Sequence, residues 1–120
     1  MNIGDKYTLA HIVSENETAD KIGSGGLPVY STPSMIALME KTAFTYTASH
    51  GMATVGTRVD ISHIKACRVG TELTCEAEVT GIEGRRISFN IIVSDNMGKI
   101  GEGTHERFVI DPEKFMAKLG

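Results

Sequence analysis

The sequence predicts an α+β fold in which one long apolar helix is followed by a run of antiparallel strands. Three features carry that expectation. Between Pro33 and Met52 the only charged side chains are Glu40 and Lys41, and Met35 to Met39 is an unbroken apolar run. Leu73, Cys75, Ala77 and Val79 alternate with Thr74, Glu76, Glu78 and Thr80, the pattern of a half-buried strand. Polar turns at Arg68-Val69-Gly70-Thr71, Glu83-Gly84-Arg85-Arg86 and Asp95-Asn96-Met97-Gly98 separate the strands. A helix that is apolar nearly all round must be covered, and a curved sheet wrapped about it is the natural packing.

The elements follow in order. Lys6 to Val13 alternates weakly and reads as a first strand. Residues 14–28 are polar and Gly-rich, with Gly23-Ser24-Gly25-Gly26 the most mobile stretch. The helix covers residues 31–52 and stops near His50-Gly51. At its start Pro33 suits the first helical position, where a missing N–H costs nothing, and Pro33 biases Thr32 out of the α region. Thr32 is therefore expected as the N-cap. Val55, Val59, Ile61 and His63 are expected on one face of the next strand, with Arg58, Asp60 and Ser62 on the other. Ile87, Phe89, Ile91 and Val93 read as an inner strand face, and Lys99 to Ile110 as the last strand. Asp111-Pro112 repeats the cap-plus-proline device ahead of a short C-terminal helix. No repeat or low-complexity linker interrupts the chain, so residues 1–120 read as one domain.

Composition narrows the function classes. Hydrophobic content of 41% and charged content of 22% are ordinary for a globular protein, and a net charge of −3 gives no reason to expect nucleic acid as a partner. No apolar run has the length of a membrane span, and Met1-Asn2-Ile3-Gly4-Asp5 lacks the regions of a signal peptide. Cys67 and Cys75 are too few and too far apart for a zinc knuckle or redox pair, so a cytoplasmic location is expected. His11, His50 and His105 show no metal-ligand spacing, and HExxH, P-loop and nucleophile-elbow patterns are absent. Neither a metal nor a cofactor is expected.

Glu40 is the first catalytic candidate. It shares a helix side with Ile36, Ala43, Phe44 and Thr47, and no basic residue stands three or four positions away to pair with it. A carboxylate on a mostly buried helix without a local partner is costly unless a distant group requires it. Thr32 stands at a helix N-terminus, a ready place for a developing oxyanion, besides its plain capping role. His63 lies on the apolar-bearing strand face, which brings it toward the helix, where pairing with Glu40 would make an acid–base set. Thr32 and Glu40 are separated by about 12 Å of helix, too far for direct contact in one subunit. Arg107 reads either as a site residue or as a strand-surface residue paired with a nearby carboxylate.

The architecture is that of a hotdog fold, and the resemblance extends to residues. Thr32…Glu40, Gly56…His63 and Gly103-Thr104-His105-Glu106-Arg107, with Glu113-Lys114-Phe115 behind them, resemble the fluoroacetyl-CoA thioesterase family over roughly residues 28 to 118. That resemblance implies hydrolysis of an acyl-CoA thioester in a homodimer whose active site lies between subunits. It implies Thr32, Glu40 and His63 as catalytic residues, and Gly56 and Arg107 as members of the wider site. The segment between Ser14 and Ser31 contains no Phe, so the aromatic lid of the family's namesake has no counterpart there.

A thioester has a good leaving group, and its hydrolysis needs a base or nucleophile, a proton manager and an oxyanion donor, but no metal. CoA phosphates need basic neighbours, for which Arg85, Arg86 and Lys65 are candidates. Two rival readings are an acyl-CoA hydratase on the same fold, which would leave the thioester intact, and a non-catalytic acyl-CoA-binding dimer.

Overall fold

The structure, a computed structural model, describes residues 1–120. Strands β1 (Lys6–Ile12), β2 (Thr54–His63), β3 (Glu72–Glu83), β4 (Arg86–Asp95) and β5 (Gly98–Val109) form one antiparallel sheet in the order β1-β3-β4-β5-β2. Helix α1 (Ala19–Ile22) is a single turn, α2 (Thr32–Ser49) is the long helix, and α3 (Pro112–Ala117) ends the chain. The α+β expectation is met. Helix α2 packs across β1, β2, β3 and β4. No helix is long and apolar enough to cross a membrane.

Alternation explains the core. Leu73, Cys75, Ala77 and Val79 of β3, and Ile87, Phe89, Ile91 and Val93 of β4, are all buried beneath Met35, Leu38, Met39, Ala43 and Tyr46 of α2. Gly101 of β5 leaves room for the helix: a side chain there would put its Cβ 2.5 Å from the Met35 sulfur. The turns fall where the polar clusters stand. Asp111 caps α3 as expected, its carboxylate accepting from the amides of Glu113 and Lys114.

Three local expectations are corrected. The N-cap of α2 is Ser31, whose hydroxyl accepts from the Ser34 amide at 3.2 Å, so Thr32 and Pro33 form the first turn. The helix is also less enclosed than its composition implies. Pro33, Ala37, Lys41, Phe44 and Ala48 make an exposed stripe at three- and four-residue spacing on the side away from the sheet.

The third correction concerns β2. Its register against β5 shifts between Gly56 and Arg58, so Thr57 is an extra residue in a β-bulge. Gly56 stands opposite Arg107 and Val59 opposite His105, both on the face toward the helix, whereas Val55 stands opposite Phe108 on the outer face. One inserted residue thus removes Val55 from the face it was expected to share with Val59, Ile61 and His63. β2 is an edge strand hydrogen-bonded only to β5.

Candidate active site

The candidate residues gather in two places on the helix-facing side of the sheet. The first lies at the N-terminus of α2. Ser31 claims the Ser34 amide through its hydroxyl and the Met35 amide through its carbonyl, while Pro33 has no N–H to offer. Thr32 therefore projects its hydroxyl from the first turn, and Thr32 Oγ1 lies 2.8 Å from Nδ1 of His63 at the end of β2. The His63 ring packs edge-on to Tyr30, with centroids 6.3 Å apart, and its Nε2 is buried without a hydrogen-bond partner. A cleft of about 280 Å³ opens here, lined by Ser24, Val29, Tyr30, Thr32, His63 and Ala66. Burial holds the His63 pKa below the ordinary imidazole value, and the polar backbone of Lys65 opposes this more weakly. A neutral imidazole beside a hydroxyl can take a proton from it or from a water.

The second place is farther along α2. Glu40 is not enclosed by the helix as its sequence context implies, since its side chain is 42% exposed. Its partner comes from far in sequence: Arg107 Nη1 lies 3.8 Å from Glu40 Oε2. Arg107 is only 5% exposed, so it is a buried residue rather than an ordinary strand-surface one. Its Nε donates to Thr54 Oγ1 at 2.9 Å, its Nη2 to the Thr54 carbonyl at 3.2 Å, and its Nη1 faces His105 Nε2 at 3.2 Å. Phe44 of the exposed stripe covers the guanidinium at 5.7 Å. Burial disfavours the charged guanidinium, and the carboxylate of Glu40 offsets that cost. Gly56 completes the group: a Cβ there would stand 2.7 Å from Glu40 Oε2 and 3.3 Å from Arg107 Nη1.

The structure thus joins Thr32 to His63, and Glu40 to Arg107 and Gly56, but does not bring Glu40 to His63 within one subunit. Along β2, Gly56 and His63 are separated by roughly 20 Å of strand. Sequence reasoning overlooked His105 and Thr54. A signal was available, because the helix-facing positions of β5 are Gly101, Gly103, His105 and Arg107, whereas those of β3 and β4 are apolar. Among the basic candidates for CoA phosphates, Lys65 is tied to Asp95 at 2.8 Å and Arg86 to Glu83 at 2.7 Å. Arg85 instead lines a cleft of about 390 Å³ with Lys114, Lys118, Phe108 and Phe115. A larger cleft of about 710 Å³ lies between β1, β3 and the β4–β5 turn and includes none of the candidate residues.

Comparison with known proteins bears on this geometry. The profile of the fluoroacetyl-CoA-specific thioesterase family matches residues 13–113. The chain belongs to that family. The fluoroacetyl-CoA thioesterase of Streptantibioticus cattleyicolor is 33% identical over 128 aligned positions, covering 99% of this chain and 92% of that protein. A variant of the fluoroacetyl-CoA-specific thioesterase FlK, solved with fluoroacetate and CoA, is 31% identical with a TM-score of 0.90, covering 96% of this chain and 99% of that one. A thioesterase-superfamily protein from Thermus thermophilus, 22% identical, shares the fold with a TM-score of 0.88 over 98% of this chain and 90% of its own. The hotdog fold and a thioester hydrolase of the acyl-CoA class, both expected from the sequence, are borne out by these relationships.

Two outcomes follow from the site's packing. His63 and His105 are both held below their ordinary pKa, chiefly by burial, so the unfolded chain binds protons more readily than the folded one as pH falls. Stability should be complete above the unfolded value near 6.5 and decline as pH falls toward the folded values. Carboxylates with lowered pKa, such as Glu17 and Asp95, lose their contribution only at more acid pH. Urea midpoints at pH 7.5, 6.5 and 5.5 check this, and equal midpoints would contradict it.

The second outcome concerns Gly56→Ala, which has no positive-φ penalty but forces the Glu40 carboxylate to move. Thiol release should fall by at least about tenfold, or about 1.4 kcal/mol in the barrier. A folded variant with parental turnover would show that Glu40 tolerates displacement.

Proposed function

We propose that residues 1–120 form one catalytic domain that hydrolyses a small acyl-CoA thioester to the free acid and CoA, without a metal, in a homodimer. The observation that carries this reading is the Thr32–His63 pair at 2.8 Å, set apart from a Glu40 carboxylate that Arg107 holds at 3.8 Å. In the reaction Glu40 supplies the base that activates water or the nucleophile that attacks the carbonyl. His63, neutral near pH 7, moves the proton, and Thr32 directs its hydroxyl to the thioester at the positive end of α2. The relative solved with fluoroacetate and CoA supports an acyl-CoA substrate. Arg85, Lys114 and Lys118 supply the basic surface for the phosphates. Buried, unpaired Cys67 and Cys75 support the cytoplasmic reading.

The homodimer has physical support. β2 is a ten-residue edge strand whose outer hydrogen-bonding groups lack a partner, and nearby Phe44, Val59 and Ile64 are large exposed apolar residues. Antiparallel pairing of two β2 edges continues the sheet and sets the two α2 helices side by side in opposite directions. The N-terminus of one helix then approaches the middle of the other. Thr32 and His63 of one subunit would share a cleft with Glu40 of the partner subunit, which relieves the separation seen within one chain.

Purified protein should release thiol from at least one of a panel of short, branched and aromatic acyl-CoAs, with chelator making no difference. Glu40→Gln should lose at least about a hundredfold in turnover, about 2.7 kcal/mol in the barrier, with folding retained. His63→Ala should lose roughly 10²–10⁴ if it transfers a proton. Thr32→Ala should lose less. Near-parental turnover by Glu40→Gln would remove that residue from the mechanism, and a panel giving no thiol release would remove hydrolysis itself.

Subunit sharing has its own test. Inactive Glu40→Gln and His63→Ala proteins, mixed and allowed to exchange, should form heterodimers with one intact site, and activity should return. A monomer by light scattering at micromolar concentration would defeat the dimer. A dimer without complementation would defeat only the shared site.

A further inference from the structure

His105 is among the most buried polar residues of the protein, at 1% exposed, and it lines none of the clefts described above. Its hydrogen bonds determine its proton. Nδ1 lies 2.8 Å from the carbonyl oxygen of Arg58, at the β2 bulge, and a carbonyl only accepts, so Nδ1 carries the hydrogen. Nε2 lies 3.2 Å from Nη1 of Arg107, and a guanidinium only donates, so Nε2 is the bare acceptor. The other tautomer would set N–H against N–H on one side and leave two acceptors facing on the other. Phe89 of β4, its cross-strand neighbour, lies roughly parallel to the ring with centroids 6.2 Å apart.

We infer that His105 is a positioning residue of the active site: as the neutral Nδ1–H imidazole it aims the Arg107 guanidinium at the Glu40 carboxylate. The inference rests on the thioesterase reading for its kinetic consequence only. Thr54 takes the Nε and Nη2 side of Arg107 and His105 holds Nη1, so the guanidinium is gripped at both edges and the same Nη1 faces the Glu40 carboxylate at 3.8 Å. The bulge is part of the device, since the Arg58 carbonyl that fixes the tautomer belongs to the residue after the inserted Thr57. The charged groups around the ring are Arg107 and Glu106 on its own strand and Glu40 from α2, and β2 contributes the Arg58 carbonyl. Protonation of Nε2 would place a second positive charge and a second donor against Arg107, so the grip exists only while His105 is neutral.

Nitrogen-15 NMR of histidine-labelled protein near pH 7.5 reads the tautomer without any turnover. We expect His105 as Nδ1–H, with an Nε2 resonance that moves in Arg107→Ala. Turnover supplies the second arm. His105→Gln restores an acceptor toward Arg107 and should keep most of the parental kcat. His105→Phe fills the space but offers no acceptor, and should lose about a hundredfold in kcat, the cost of a misplaced reacting group, with little change in KM. An Nε2–H tautomer overturns the inference, whether or not the protein hydrolyses thioesters. A folded His105→Phe with parental kcat, or a Gln variant as impaired as Phe, overturns it too. If His105→Phe does not fold, the tautomer and the Gln variant decide. Absence of thiol release from the parental protein would sink the thioesterase reading and leave the tautomer arm to judge the grip.

Discussion

A guanidinium buried against the face of a sheet is an expensive group, and much of this protein's second half is arranged around it. Arg107 cannot shed its proton, so the fold must surround it with acceptors or lose several kcal/mol to desolvation. β5 alone cannot provide them, because its own backbone groups are committed to β4 and β2. Acceptors come from Thr54 at the start of β2 and from His105 one alternation away on β5, while Glu40 on α2 supplies a countercharge at 3.8 Å. Thr54 is itself tied to the helix through Thr47, whose hydroxyl lies 2.9 Å from the Thr54 hydroxyl. Arg107 therefore ties β5 to the α2–β2 crossing through Thr54. A carboxylate placed beside it is held for use at little further cost.

The bulge in β2 follows from the same constraint. In an unbroken ladder the residue two before Arg58 would share its outward face, and Gly56 would point away from the helix. Inserting Thr57 turns Gly56 inward, opposite Arg107, where a Cβ would displace the Glu40 carboxylate. Gly56 is needed here for lack of space rather than for backbone freedom. The same insertion directs the Arg58 carbonyl to His105. One extra residue in an edge strand thus serves the carboxylate, the guanidinium and the imidazole together.

Much of this was legible in the sequence, for physical reasons that differ by element. β3 and β4 could be read because their alternation is strict, and α3 because Asp111-Pro112 is a strong local start signal. Glu40 stood out as a lone carboxylate in an apolar helix. Its partner could not be read, since Arg107 meets it only through tertiary packing. Thr32 was placed one position late as a cap because Ser31 and Thr32 both carry hydroxyls, and a proline suits either the first or second helical position. The face of Val55 was misjudged because a bulge leaves no mark in a period-two pattern until the partner strand is known. The composition of α2 hid its exposed stripe, since Ala37, Phe44 and Ala48 look like core when only hydropathy is counted.

The Thr32–His63 pair is held in a different way from Glu40, by backbone rather than by charge. The chain entering α2 is pinned on both sides: the Tyr30 amide donates to the Cys67 carbonyl at 2.8 Å, and the Ser31 amide to the Glu17 carbonyl at 3.0 Å. Glu17 is in turn fixed by His11 of β1 at 2.8 Å, and its pKa stays low because the Ser14 amide and His11 bond its carboxylate, although burial works against them. On the other side, the amides of Ile64 and Lys65 both donate to the Ile100 carbonyl and hold the residues just after His63 against β5. Neither Thr32 nor His63 has freedom to drift, so the 2.8 Å contact between them is built in before any ligand arrives. The Gly-rich residues between α1 and Tyr30 are tied back to α1, the amides of Gly23, Ser24 and Gly25 all donating to the Ala19 carbonyl, and Ser24 and Val29 border the same cleft. A backbone-pinned pair beneath a Gly-containing rim is the usual division between a rigid scaffold and the loops that border a cleft.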